Sequence, residues 1–488
     1  MFTENQIHSK PVRIAFIMLF LVFTVLILSR ISDLSYVLSR TFSLGLNSRG
    51  GIYEAIAMLS APLVLLFWLW LILVKKEYLN ALVFQIVIFP FTHKANAVFA
   101  INAYTNQAGY TQKLSLTTMM IIFLFVVMKY RGRIIRPLDQ RWQRFEKILL
   151  FYGLSLILTQ LFNHTVFSSF ALTIGGVWQY TFLFYILTSV LKTQVDFIKI
   201  LNGLLAFTTV NILFRILSEG QALVQSISSE MIRVGSGAMG PAVSYGGYLA
   251  VMITISLLLY RLKKNVIYLL LAALVFTEML STYTRGSTLS LILLALLLLW
   301  KHEREHLYKH LFIILPLSLY LGATIWEYIS LRGSPFSVDM IQLDNVQVRI
   351  EIFQKYFTKV FDFSVVGNGI GNFTLISNSI TSPLIPHNII VSILDQAGII
   401  VAVVFLLLIS YSLKTSFNML KRIKERFYSV YLIYIIVALL QWLFFANTTS
   451  TLLNWYYPYE ASTIFWMLLF LPILISNRVE NSHIILEK

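Results

Sequence analysis

Long apolar runs alternate with short polar intervals along most of this chain. A helix needs about 20 apolar residues to cross roughly 30 Å of hydrocarbon. On that criterion the pattern predicts spans over Val12–Leu28, Ala55–Val74, Leu79–Phe91, Leu114–Met128, Ile148–Phe167, Phe170–Leu191 and Phe197–Leu217. Further spans fall over Pro241–Tyr260, Val266–Met279, Ser287–Trp300, Leu311–Trp326, Ile389–Leu413, Val430–Phe445 and Ala461–Ile475. The run ending at Phe91 is short and interrupted by Pro90, which fits a re-entrant segment. The expected fold is an all-α polytopic membrane protein of about 12–14 transmembrane helices.

One interval breaks the rhythm. From Leu331 to Pro386 the chain is hydrophilic and much longer than any other connection. Loops of this kind are uncommon in compact proteins and are often functional. The chain therefore divides into an N-terminal helical region (1–330), a large loop (331–386) and C-terminal helices (387–488). Within the loop, Asp344 or Asn345 is placed to cap a helix over Val346–Phe361. Its apolar positions Val348, Ile352, Phe353 and Tyr356 recur at helical spacing, as for a segment lying on a membrane surface. Gly367, Gly369 and Gly371 of VGNGIGNF follow, and they read as turn residues supplying positive φ. No strand–helix unit surrounds them, so a dinucleotide-binding fingerprint is rejected.

Composition agrees with the pattern. Hydrophobic residues make up 58% and charged residues 12%, with mean hydropathy +0.76. Soluble chains carry about 25% charged residues. The formal net charge of +16 would point to nucleic acid in a soluble protein. In a membrane protein it points to basic cytoplasmic loops, and no nucleic-acid partner is expected. Lys129–Lys147 holds seven basic residues; fixing it inside places Lys75–Lys76, Arg261–Lys264, Lys301–Lys309 and Lys421–Arg426 inside too. About 26 of the 38 Lys and Arg then lie inside, both termini face the cytoplasm, and the 331–386 loop faces outward. With no cysteine, disulfides and thiolate chemistry are excluded. Val12–Leu28 has no A-x-A-like site behind it and is expected to remain as a helix.

Candidate chemistry rests on basic groups of the outer side, where they are few. Arg285 lies in STYTRGSTLS, Arg349 in the large loop, His387 in PHNIIVSILDQAG and Arg233 in SSEMIRVGSGAMG. Each has a plainer reading. Arginines at helix ends snorkel to the interface or hold lipid headgroups. A lone His at a helix start is more often a structural donor. Together they suit a diphosphate: guanidinium forks bind phosphate oxygens bidentately and stabilise departing negative charge. A neutral imidazole can take a proton from a sugar hydroxyl. No DxD, HExxH or carboxylate cluster calls for a metal, and no cofactor is expected. His387, Val391 and Asp395 share one helix face, with Asp395 about 12 Å along from His387, too far to touch it. Asp395 is expected to find its partner within the bundle.

Three blocks in this order, TYTRGSTLS, VRIEIFQKYF with VGNGIGNF, and PHNIIVSILDQAGI, resemble the O-antigen ligase and polymerase superfamily of Wzy/WaaL-type membrane glycosyltransferases. They span 278–401, about a quarter of the chain. Family members often carry Glu where this chain has Asp395, and an aromatic such as Trp where it has Phe353. The resemblance implies a GT-C-like helical fold in a bacterial plasma membrane, with an extracytoplasmic active site. It implies a donor diphosphate held by Arg285 and Arg349, and an acceptor hydroxyl activated by His387 of the His387–Asn388 pair. RVGSGAMGPAVSYGGY is similar to the second outer loop of the polymerase branch, which gives Arg233 a role toward acceptor or phosphate; Asn388 has the same standing.

The implied activity is an inverting, metal-independent polymerase of surface polysaccharide: O-antigen, capsule or a teichuronic-acid-like polymer. Its partners would be undecaprenyl-diphosphate-linked glycan and membrane lipid, with room for chain-length regulator and flippase proteins. The same motifs serve a ligase that moves finished glycan to a lipid or protein acceptor. A flippase for lipid-linked sugar is the rival from another class. It predicts charges lining a midplane cavity and internal repeats, whereas this chain gathers its features at one outer face and shows no repeat.

Overall fold

The computed structural model describes residues 63–89, 101–104, 111–114, 116–163, 167–228, 242–282, 287, 290–291, 354, 365–369, 389–448 and 460–481. Its helices are α1 (Leu63–Lys75), α2 (Tyr78–Val87), α3 (Leu116–Tyr130), α4 (Gln140–Phe162), α5 (Phe167–Val190) and α6 (Gln194–Ser228). They continue with α7 (Ala242–Lys263), α8 (Ile267–Ser281), α9 (Ile389–Leu420), α10 (Arg426–Thr448) and α11 (Glu460–Asn481). Six stretches, Gln140–Phe162, Gln194–Leu213, Tyr245–Lys263, Ile389–Leu420, Arg426–Phe444 and Ser462–Val479, are long and apolar enough to cross a membrane. The protein is an all-α polytopic membrane protein. The expected spans Val12–Leu28 and Leu311–Trp326 lie outside the described residues, as does Ser287–Trp300 apart from Ser287, Ser290 and Leu291.

Two details differ from the hydropathy pattern. Between α2 and α3 the backbone forms an antiparallel pair, β1 (Ile101–Tyr104) with β2 (Thr111–Leu114), in the register Ile101 to Leu114. α2 is 10 residues long, so it rises only about 15 Å, half the hydrocarbon thickness. Gln85 near its end is buried and donates to the Thr117 carbonyl at the start of α3, at 3.0 Å. The second detail is α4, which begins inside the basic segment. Asp139 caps it by accepting from the Arg141 and Trp142 amides. Trp142, Phe145 and Leu149 then bury one stripe while the cations occupy the other faces.

Hydrogen bonds between elements fix which ends lie together. Arg131, after α3, donates to the Ile72 and Leu73 carbonyls at the end of α1, each at 2.9 Å. Arg141 at the start of α4 donates to Ser476 of α11, and its carbonyl accepts from Tyr411 of α9. Arg478 of α11 donates to the Leu191 and Thr188 carbonyls at the end of α5. Gln194 of α6 reaches Glu425 beside α10, and Asn202 of α6 accepts from Tyr268 of α8. One face thus collects the ends bearing Lys75, Lys76, Arg131, Arg141, Lys192 and Arg426, hereafter the basic face. α4, of 23 residues, extends about 34 Å from it.

Polar links also cross the largely apolar bundle between the faces. Thr118 donates to Gln179 at 2.6 Å, and Gln179 donates to Thr463 at 2.6 Å, tying α3, α5 and α11. Such bonds inside membrane proteins contribute about 0.6 kcal/mol each on average. Tyr180 stacks on Trp466 with ring centroids 4.5 Å apart, and Tyr152 packs against both. Leu154 and Leu158 of α4, and Val403 and Leu407 of α9, are exposed. In a bilayer these are lipid-facing positions, since apolar tails carry no penalty there.

Candidate functional site

At the far end of α4, helix α9 is broken. Ile389, Ile393 and Ala397 bury one face of its opening turns. Gly398 then adopts φ 84°, ψ 177°, a conformation essentially confined to glycine. The turn Val365–Gly369 of the large loop sits in this break. Gly367 and Gly369 have φ of +65° and +90°, as the spacing of VGNG predicts. A Cβ on Gly367 would lie 2.5 Å from the Gln396 carbonyl carbon and the Gly398 nitrogen, and one on Gly398 would overlap the Val365 carbonyl oxygen. Two backbones therefore meet with no side chain between them.

Polar groups at the break are closed from outside the helix. The Asn368 amide donates to the Asp395 carbonyl at 2.9 Å, and the Gly369 amide to the Gln396 carbonyl at 3.0 Å. Thr159 of α4 donates to the Ala397 carbonyl at 3.1 Å. Three successive carbonyls thus have donors, as buried backbone requires. Asn163, which ends α4, donates to the Val366 carbonyl at 3.1 Å and holds the turn from the other side. The Asn368 side chain donates to both the Asp395 Oδ1 (2.9 Å) and its carbonyl (3.1 Å). Asp395 is fully buried. One partner of Asp395 thus comes from the loop's glycine turn.

Thr159 meets the break while Arg141, at the other end of α4, meets α9 and α11 at the basic face. The Val365–Gly369 part of the loop therefore lies at the opposite end of the bundle from the basic helix ends.

Arg233, Arg285, Arg349, His387 and Asn388 lie outside the described residues. Their flanks do not all. Ile389, which follows Asn388 in sequence, begins α9 and is buried. Around Arg285, Thr282, Ser287 and Ser290 are buried. Gln441 of α10 donates to the Ser290 carbonyl at 3.0 Å and accepts from Thr254 of α7 at 2.6 Å. Buried Glu278 of α8 accepts from Tyr245 of α7 at 2.9 Å. The second and third blocks are thus joined directly, by the turn in the break, and Ser290 at the end of the first is held by α10.

Sequence reasoning missed Asn368, Thr159 and Asn163. The signal for Asn368 was its place between two turn glycines. Thr159 and Asn163 sit one helical turn apart at the end of α4, a spacing equally suited to ordinary capping. Compared with known proteins, the chain matches no family model and no curated sequence.

Proposed function

We propose that this protein is an inverting, metal-independent polysaccharide polymerase of a bacterial plasma membrane, with its active site on the extracytoplasmic side. The donor is an undecaprenyl-diphosphate-linked glycan, and the acceptor is a hydroxyl of another lipid-linked repeat unit. His387 takes the proton from that hydroxyl. The oxygen attacks the donor's anomeric carbon from the face opposite the phosphate and forms the new glycosidic bond. The bond from that carbon to the phosphate oxygen breaks, and its electron pair leaves with undecaprenyl diphosphate. Arg285 and Arg349 hold the diphosphate and stabilise the charge that builds on it. Arg233 and Asn388 serve the acceptor.

The observation that carries this reading is the docking of Val365–Gly369 into the Gly398 break. It ties the loop that bears Arg349 to the helix that follows His387 and Asn388, at the end of the bundle away from the basic face. A polymerase needs its diphosphate grip and its base in one site, and a fixed contact between the two segments that carry them supports that reading.

Loss of the gene is the test. The expected result is accumulation of single lipid-linked repeat units, restored to long chains by the wild type and not by His387→Ala present at equal level in the membrane. Long lipid-linked chains in the deleted cells would identify a ligase instead. Unchanged polymer would overturn the reading.

A further inference from the structure

The contact between Asn368 and Asp395 is more than a loop anchor. Asp395 is a fully buried carboxylate, and burying one is costly unless donors meet it. One donor to it is Asn368, which stands between Gly367, with no room for a Cβ, and Gly369, whose positive φ disfavours one. Asn368 contributes three bonds to Asp395: the backbone amide and Nδ2 to the carbonyl, and Nδ2 to Oδ1. A loop needing only a place to rest has no call for a buried carboxyl group beneath it.

We propose that Asn368 and Asp395 are positioning residues, forming a clasp that sets the loop carrying Arg349 against the helix that follows His387. This role rests on the polymerase reading above. The clasp does not touch substrate; it fixes where the diphosphate grip stands relative to the base. Asn163 at the end of α4 holds the same turn from the bundle side, while Thr159 holds the Ala397 carbonyl of α9, so loosening the clasp shifts the loop without releasing it. A misplacement of about 1 Å costs on the order of 100-fold in turnover.

Amide hydrogen exchange on the purified full-length protein in detergent reads the clasp independently of catalysis. In the wild type the Asn368 and Gly369 amides exchange slowly. In Asn368→Asp, which sets carboxylate against carboxylate, they exchange about tenfold faster or more. The double variant Asn368→Asp with Asp395→Asn recovers part of the protection, since the new amide can donate across the contact. Asn368→Ala, which removes the donor and adds no charge, is the milder variant if Asn368→Asp does not fold.

Transfer is then measured with lipid-linked glycan extracted from cells lacking the protein. The clasp variants lose kcat on the order of 100-fold with KM changed far less, and the double variant regains part of it. Unchanged exchange in both Asn368 variants overturns the clasp. Faster exchange with wild-type kcat overturns the positioning role and leaves the polymerase reading standing, provided His387→Ala is inactive. Wild-type transfer by His387→Ala removes the reaction itself, and the positioning role with it.

Discussion

At the basic face, helix ends are closed by guanidinium groups reaching across the bundle; at the opposite end, the broken helix α9 is closed by amides, a hydroxyl and bare backbone. Arg131 and Arg478 each bridge two carbonyls at the ends of α1 and α5. These are cations at helix C-termini, where the helix dipole favours them. Around Gly398 the donors are Asn368, Gly369 and Thr159, and the contact is backbone on backbone. The first kind of closure lies near water, which can replace a lost donor. The second depends on shape and has no substitute. The two ends should therefore tolerate change very differently.

The largest effect is expected at the break. Gly398→Ala must both leave a glycine-only conformation and displace the Val365 carbonyl. It should destabilise by about 3 kcal/mol or more, seen as loss of monodisperse protein after detergent extraction. A normal melting profile would mean that the turn is not seated there. Arg478→Met comes next: two carbonyls lose a charged donor, and because Arg478 is half-buried water replaces it only in part, so the cost is about 1.5 kcal/mol, read from the thermal unfolding midpoint.

Gly132 offers the matched control. Its φ is +63°, close to that of Gly367, yet nothing lies within 4 Å of its added Cβ. Gly132→Ala should cost only the left-handed backbone penalty, about 1 kcal/mol. If it proves as damaging as Gly398→Ala, close backbone approach is not what distinguishes the break. The smallest change is expected from Asn80→Ala. Its side-chain amide donates to Glu77 at 2.7 Å in an exposed contact, where water can replace the donor. The melting midpoint should not move, and a clear drop would show that the basic face is more tightly built than its water access suggests.

The bundle was largely legible in the sequence because apolar run length is the strongest signal a membrane chain carries. α1 to α11 each fall on a predicted run. The clusters at Lys75–Lys76, Lys129–Lys147 and Lys421–Arg426 all gather at one face, as orientation by positive charge requires. The early start of α4 was hidden because its cations masked the spacing of Trp142, Phe145 and Leu149. The β1–β2 pair was hidden because INAY and TQKL are short and carry no alternating apolar pattern.

The break in α9 was hidden for a different reason. DQAGII reads as unbroken helix, and glycine is common in membrane helices. Only the meeting with Gly367, distant in sequence, gives Gly398 its meaning. The turn itself was legible from VGNG. The partner of Asp395 was not, since nothing local marks which of many amides a buried carboxylate will find.

The most direct test of the proposed chemistry is transfer by purified full-length protein in detergent, with no membrane to cross. Given lipid-linked repeat units, the wild type should lengthen them and release undecaprenyl diphosphate, one for each bond formed, while His387→Ala should do neither. Extension by His387→Ala at the wild-type rate, or folded wild-type protein that leaves the repeat units unchanged, would contradict the account.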